Sequence, residues 1–211
     1  MSFDLHAPQL EGARVRLEPL GRRHVADLTL AVRDDRTTYG FTTVPEEGRV
    51  EEFVDGHLAR ASDGLVLPYA QVERVSGRAV GITTYCTPRL RPDGVVLAAV
   101  EIGYTWLAPS AQGTGLNTEA KYLLFRNAFE EWGVARVDLR TDARNARSRA
   151  AIEKVGARFE GVLRSSSPSR VAGEEGLMRD SAVFSVIAAE WPECRAALER
   201  RLGGGVGVGK P

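Results

Sequence analysis

The sequence predicts one mixed α/β domain of the α+β kind, with a mostly antiparallel sheet of about seven strands and helices flanking it. Runs that alternate apolar and polar residues are interleaved with runs of helical spacing along the whole chain. Three successive strand runs between residues 68 and 106 are joined by short connections, which favours antiparallel neighbours. No internal repeat and no break in composition divides residues 1–202, so one domain is preferred to two.

Taken in order, residues 15–20 (VRLEPL) alternate as a short strand, and residues 22–32 switch to helical spacing with Val25, Leu28 and Val32 on one side. Residues 34–45 are polar and aromatic without period and predict a mobile loop. Residues 50–61 then place Val50, Phe53, Val54, Leu58 and Ala61 on one helical face. Residues 68–73 and 79–85, separated by the turn at Val75-Ser76-Gly77-Arg78, read as a hairpin, and the long run 95–106 adds a third strand beside it. Residues 118–132 direct Ala120, Leu123, Leu124, Ala128 and Trp132 toward a core until Gly133 ends the helix. A strand at 134–141, a short helix at 149–155 stopped by Gly156, and a strand at 157–163 follow. A polar loop at 164–176, a last strand at 181–187 and a helix at 190–202 complete the domain. The tail from residue 203 to 211, GGGVGVGKP, is expected to be disordered.

Composition narrows the function. Twenty-eight basic residues balance 28 acidic ones, so no global field exists to hold nucleic acid. Cys86 and Cys194, the only two cysteines, suit neither a disulfide framework nor a zinc motif, which points to a reducing, cytoplasmic setting. No apolar run approaches the ~18 residues of a membrane span, and the N-terminus lacks an export signal. His6, His24 and His57 show no metal-ligand spacing and read as surface residues; no metal is expected.

Residues 101–120, EIGYTWLAPSAQGTGLNTEA, carry the strongest local signal. A strand that enters a glycine turn and then a helix N-terminus gathers backbone amides and the positive end of the helix dipole at one point, which binds anions. Glycine at 113 and 115 lets that backbone approach a phosphate oxygen closely. A plain loop entering a helix explains the turn taken alone. No Lys-Ser/Thr pair follows as in a Walker loop, and the third glycine of a dinucleotide fingerprint is absent.

These residues resemble the GNAT acyltransferase superfamily, whose Gln/Arg-x-x-Gly-x-Gly/Ala turn holds the pyrophosphate of coenzyme A. Here the turn is Gln112-Gly113-Thr114-Gly115-Leu116-Asn117, followed by Thr118-Glu119-Ala120. Asn117 stands where Gly or Ala is usual, so its side chain is expected either to cap the helix or to touch the cofactor. The segment from Asn145-Ala146-Arg147-Ser148 through Glu153-Lys154-Val155-Gly156 to Gly161 is similar to the Asn-x-x-Ser and Glu-Lys-x-Gly-Phe block of the RimJ/RimL-like branch, the ribosomal-protein N-terminal acetyltransferases. The opening VRLEPL and the late Gly176-Leu177-Met178-Arg179-Asp180 match the same branch, so the resemblance covers nearly all of the chain except its tail.

The resemblance implies a twisted sheet with a V-shaped split between its fourth and fifth strands, residues 95–106 and 134–141, in which acetyl-CoA lies. Its pantetheine arm would pair with the backbone at Trp106 and Leu107, and a backbone amide at a bulge there would hold the oxyanion. Gln112, Gly113, Thr114, Gly115, Leu116, Asn117 and Thr118 would receive the pyrophosphate, Asn145 the pantetheine or Ser148, and Arg147 and Lys154 the 3′-phosphate. Acetyl transfer to a primary amine, by direct attack within a ternary complex, is the implied reaction. Glu101 is the candidate general base, Ser148 the candidate acid toward the departing thiolate, and Tyr39, Phe41 and Tyr85 the candidate acceptor pocket. A protein N-terminus or a small-molecule amine is the implied acceptor, and the protein would act as a monomer or homodimer. A non-catalytic acyl-CoA-binding sensor or structural module is the alternative, against which the presence of both Glu101 and Ser148 counts.

Overall fold

The helices and strands can be followed in a computed structural model that describes residues 5–33 and 35–203; the glycine-rich tail beyond Gly203 lies outside the described residues. The strands are β1 (Leu10–Glu11), β2 (Val15–Pro19), β3 (Val66–Glu73), β4 (Ala79–Leu90), β5 (Leu97–Leu107), β6 (Arg136–Asp142), β7 (Arg158–Pro168) and β8 (Met178–Ile187). They form one sheet of eight in the order β1-β2-β3-β4-β5-β6-β8-β7, the two-residue β1 adding to the seven read from sequence. Every neighbouring pair is antiparallel except β5 and β6. The helices are α1 (Val25–Ala31), α2 (Val50–Ser62), α3 (Leu116–Arg126), α4 (Ala146–Lys154) and α5 (Trp191–Leu202).

The parallel pair is short. β5 and β6 are in register only at Ala99↔Arg136, Val100↔Val137 and Glu101↔Asp138, beyond which the two strands diverge. From Ile102 onward β5 is paired on its β4 side alone. That side carries a bulge, because Thr84 faces Gly103 while Ile82 faces Trp106, and Tyr104 takes a left-handed φ of 50°. The bulge therefore sits around Tyr104 and Thr105, earlier than the expected Trp106 to Leu107. Thr105 turns inward there to bond Thr83 at 2.9 Å. Past the bulge β4 and β5 run so close that a Cβ on Gly81 would stand 2.1 Å from the Trp106 carbonyl oxygen, which only glycine avoids.

One buried cluster gathers Leu17, Tyr69, Tyr85 and Val100 with Leu123, Phe125, Val137, Phe184 and Trp191, so α3 and α5 fill one face of the sheet across the divergence. A second cluster, with Leu28, Val54, Ala70, Ile82 and Trp106, packs α1 and α2 on the opposite face of the β2–β5 half. Several boundaries differ from the sequence reading. β7 runs on to Pro168, into the stretch expected to be a polar loop, because its outer half is an exposed edge with no apolar alternation to detect, and β8 begins at Met178, three residues before the expected strand. The interhelical stretch expected to be mobile contains a short 3₁₀ turn, Arg36–Tyr39, tied down by Arg36 bonding the carbonyls of Val44 and Pro45 at 3.1 Å each. His24 and His57 are buried, a correction to the surface assignment: His24 accepts from the Gly21 amide at 3.1 Å and faces Glu18.

Helix α3 is buried over most of its circumference, charged residues included. Glu119 is 1% exposed, and its carboxylate accepts the backbone amides of Ala13, Arg14 and Val15 at 3.0, 2.6 and 2.8 Å. It thus ties the start of β2 to the helix that follows the glycine turn. Replacing it strands several buried amides, so Glu119→Ala should lower the unfolding free energy by about 3 kcal/mol, measured by denaturant titration; a loss within experimental error would show that water satisfies those amides.

Candidate active site

A cavity of about 790 Å³ opens where β5 and β6 part. Its walls include Trp106 and Leu107 of β5, Gln112, Gly113 and Asn117 of the glycine turn and α3, Asn145, Arg147 and Ser148 of α4, Glu101 and Tyr104 below, and Tyr39 and Phe41 from the loop between α1 and α2. Most of the residues singled out in the sequence meet here. Several do not. Tyr85 is fully buried in the core, where its hydroxyl donates to the Leu124 carbonyl at 2.5 Å and its ring packs on Trp132 at 4.6 Å; its assignment to the acceptor pocket is corrected. Lys154 is exposed at the far end of α4, and neither it nor Thr114, Gly115, Leu116 or Thr118 lines the cavity; a Cβ on Gly115 would face Arg14 at 3.7 Å. Leu116 packs in the core and the Thr114 hydroxyl donates to the Ala111 carbonyl at 2.8 Å.

The turn owes its shape to two left-handed glycines, Gly113 at φ 78° and Gly115 at φ 88°, the second serving as N-cap of α3. Gly115 has no side chain with which to cap this helix; the Leu116 amide meets the Thr114 hydroxyl at 3.4 Å, and the amides of Asn117 and Thr118 have no carbonyl four residues back within the helix. Asn117 is the second helical residue rather than a cap. Its carboxamide oxygen is buried at the cavity wall without a hydrogen-bond partner, and so is the indole nitrogen of Trp106. Buried polar atoms left unpaired cost free energy, and a wall that holds two of them is built to meet a polar ligand.

Around the turn lies a clasp. Gln112 donates to the Leu107 carbonyl at 2.9 Å and to Thr38 at 3.1 Å, Arg147 donates to Gln112 at 2.9 Å and to the Thr38 carbonyl, and Tyr39 donates to Leu107 at 3.0 Å. Asn145 caps α4 by accepting the Ser148 amide at 3.0 Å. Its carboxamide oxygen is thereby engaged in positioning Ser148, whose hydroxyl makes no hydrogen bond among the described residues.

At the other end of the cavity, Glu101 has a side chain 16% exposed, 3.4 Å from Arg140 Nε and 3.5 Å from the Thr87 hydroxyl. Burial raises its pKa above the ordinary carboxylate range, Arg140 opposes that rise and the nearby Asp138 reinforces it. His57 faces the same space, a residue the sequence did not mark. Its ring lies 4.4 Å from Phe53 and edge-on to Tyr104 at 5.8 Å, and burial lowers its pKa, so the imidazole is neutral at pH 7. Nδ1 lies 3.0 Å from the Phe53 carbonyl, which requires the proton on Nδ1 and leaves Nε2, buried and unpartnered, as an acceptor. Helical spacing with Phe53 and Val54 was the only signal for it, and that signal reads as core.

Lys121 is the second residue the sequence did not reveal. Its ammonium donates to Thr83 at 3.0 Å and Thr105 at 2.7 Å, bridging β4 to the bulge of β5 from beneath the cavity. Burial lowers its pKa from 10.5 to about 7. At this group the unfolded chain holds more protons than the folded one between those two values, so it makes stability rise with pH from about 7. Above about 9 the thiols of Cys86 and Cys194, whose pKa burial raises, act the other way, which leaves about pH 7 to 9 as the window. Denaturation midpoints measured over that range should climb for the wild type, and Lys121→Met should remove most of the climb; parallel curves for the two proteins would mean that Lys121 titrates as an ordinary lysine.

Comparison with known proteins agrees with this geometry. The Acetyltransferase (GNAT) domain family matches residues 14–158. The "Putative ribosomal N-acetyltransferase YdaF" of Bacillus subtilis (strain 168) is 34% identical over 91 residues, 43% of this chain and 46% of that protein, so the aligned part spans about half of the relative's length. Among solved structures, a GCN5-related N-acetyltransferase from Brucella melitensis superposes with a TM-score of 0.80 at 27% identity, covering 94% of this chain and 86% of that one. The fold is shared as well by Mycobacterium smegmatis RimJ in complex with CoA-disulfide, at a TM-score of 0.73 and 23% identity over 94% and 95% of the two chains. With more than half of its length matched by the family, this chain belongs to the GNAT acetyltransferases.

Proposed function

We propose that the protein transfers the acetyl group of acetyl-CoA to a primary amine by direct attack, with both substrates bound at once. The observation that carries this reading is the continuity of one cavity from the glycine turn of α3, along the unpaired edge of β5, to the buried carboxylate of Glu101. The donor supplies an activated thioester. The amides at Gly113 and Gly115 and the start of α3 would hold its pyrophosphate, with Arg147 beside them. Asn117 Oδ1, Trp106 Nε1 and the free edge of β5 offer partners along the arm.

The chain's own groups then divide the proton work. An amine with a pKa near ~8 is mostly charged at neutral pH, and Glu101, directly or through water, would accept its proton. The raised pKa of Glu101 brings it nearer to that of the amine, which favours the transfer. Backbone amides of the bulge at Tyr104 and Thr105 would meet the negative charge developing on the carbonyl oxygen. Ser148, held at the cavity wall by the Asn145 cap, would return a proton to the departing thiolate. The name of the Bacillus subtilis relative supports a protein N-terminus among the acceptors, as the branch resemblance does; a small amine fits the same chemistry.

The cofactor half is tested by calorimetry with CoA. Gly115→Glu puts a carboxylate among the amides of the turn and should abolish binding, with the fold verified by circular dichroism; undiminished affinity in a folded variant would remove the turn from the site.

The catalytic half is tested by labelled acetyl transfer to an amine panel across pH. For the wild type, kcat/KM should rise with pH through the Glu101 ionisation, since a base works only when deprotonated. Glu101→Gln should lose that ionisation and recover activity at high pH, where the acceptor is already neutral. If the ionisation persists in Glu101→Gln, the base moves to His57, which lines the same cavity. Binding without transfer to any amine would favour a non-catalytic acyl-CoA-binding module.

A further inference from the structure

The chain is electrically balanced, but its cavity is not. Besides Lys121, the charged side chains of the lining among the described residues are Arg60, Arg140, Arg147, Arg170 and Arg179 against the single carboxylate of Glu101. Arg147 is engaged at the glycine-turn end. The other four stand toward Glu101. In the registers Glu101↔Asp138 and Asp142↔Ser181, with side chains alternating between faces, Glu101, Arg140 and Arg179 project from the same face of the sheet. Arg60 enters from α2, lying 4.8 Å over the Tyr104 ring and donating to its hydroxyl at 3.1 Å. Arg170 enters from the connection between β7 and β8.

The carboxylates that might neutralise this group are occupied. Asp142, the acid acting most strongly on Arg179, accepts three bonds from Arg144, and Glu174 binds Arg144 as well. Arg140 has Glu101 alone as an ion-pair partner among the described residues. Arg179 is half-buried, its Nε without a hydrogen-bond partner among the described residues. A desolvated guanidinium without a counter-ion is costly to maintain, and an anion that enters the cavity relieves the cost.

We propose that the acceptor is itself anionic: a primary amine that carries a carboxylate close by in the same molecule, the amine seated at Glu101 and the carboxylate on Arg179 and Arg170. The proposal rests on the acetyl-transfer reading and names its substrate class. Two consequences of the arginine group act together. Guanidinium groups hold a carboxylate with directional, charge-assisted bonds, and their positive field disfavours an ammonium beside them, releasing the neutral amine that attack requires. A polycationic amine is repelled by the same field. The carboxylate can come from an acidic side chain near a peptide N-terminus or from the α-carboxylate of a small amino acid.

The test uses the full chain and matched acceptors: the peptide Ser-Asp-Glu-Ala-amide against Ser-Asn-Gln-Ala-amide, and a free amino acid against its amide. CoA release is followed in each case, and calorimetry measures binding of the N-acetylated forms of both peptides to the CoA-loaded protein. The acidic member of a pair should be preferred by about 10- to 100-fold in kcat/KM and bind correspondingly tighter. Arg179→Gln should erase most of that preference while leaving CoA affinity unchanged, and Arg170→Gln, at an exposed loop position that threatens no folding, should reduce it. Which pair responds identifies the source of the carboxylate. Equal use of charged and neutral members, or arginine variants that lose CoA affinity instead, would overturn the proposal while leaving acetyl transfer standing. Absence of transfer to every acceptor, with the acidic N-acetylated peptide binding no better than the neutral one, would overturn both.

Discussion

Three residue pairs, Ala99 to Glu101 against Arg136 to Asp138, with the Ala135 amide bonded to the Ala98 carbonyl just before them, make the hydrogen-bonded seam between the two halves of the sheet. Beyond them β5 is bent away by the bulge at Tyr104 and Thr105, and the backbone groups it would have offered to β6 face a cavity instead. A sheet interrupted in this way leaves unpaired polar groups at its centre, a cost that a protein bears only where a ligand or other groups repay it. The rest of the molecule accommodates that opening. Helix α3 and α5 fill the core continuously beneath both halves, so the two β units stay fixed while the strands between them separate.

The charged groups that the fold buries are arranged around the same opening. Glu119 collects three backbone amides at the start of β2, and Lys121, two residues on, bridges the threonines on either side of the bulge. One turn of α3 thus anchors the N-terminal strand and braces the distorted part of β5. Glu101 occupies the last paired level before the strands part, opposite Asp138, and Arg140 stands two residues further along β6; burial raises the carboxyl pKa there and the guanidinium limits the rise. Arg179 and Arg170 continue the positive wall outward. Desolvation at this seam raises the proton affinity of the candidate base and the arginines make the wall beside it positive, and formal net charge, which is zero for the chain, reports neither.

What the sequence determined by itself was local and periodic. The order of strands and helices followed from hydrophobic spacing, and the glycine turn entering α3 marked an anion site, because both depend on neighbours along the chain. The residues of the Gln112–Thr118 turn and the Asn145–Ser148 segment were legible as motifs, and the cavity gathers Gln112, Gly113, Asn117, Asn145, Arg147 and Ser148 from them. Tertiary structure alone decided which way side chains point and what surrounds them. Tyr85 alternates onto the core face of β4 rather than toward the acceptor, and His57 and Lys121 sit on helical positions that periodicity reads as core or surface but never as cavity wall. The edge strand β7 carried no alternation because solvent bathes both of its faces. Arg140, Arg170 and Arg179, scattered over forty residues of sequence, became one positive wall only when β6, β8 and the loop before β8 were brought beside Glu101. Spacing along the chain encodes conformation; burial, shared counter-ions and the side of a strand are set by what folds against it, and those are what give this site its chemistry.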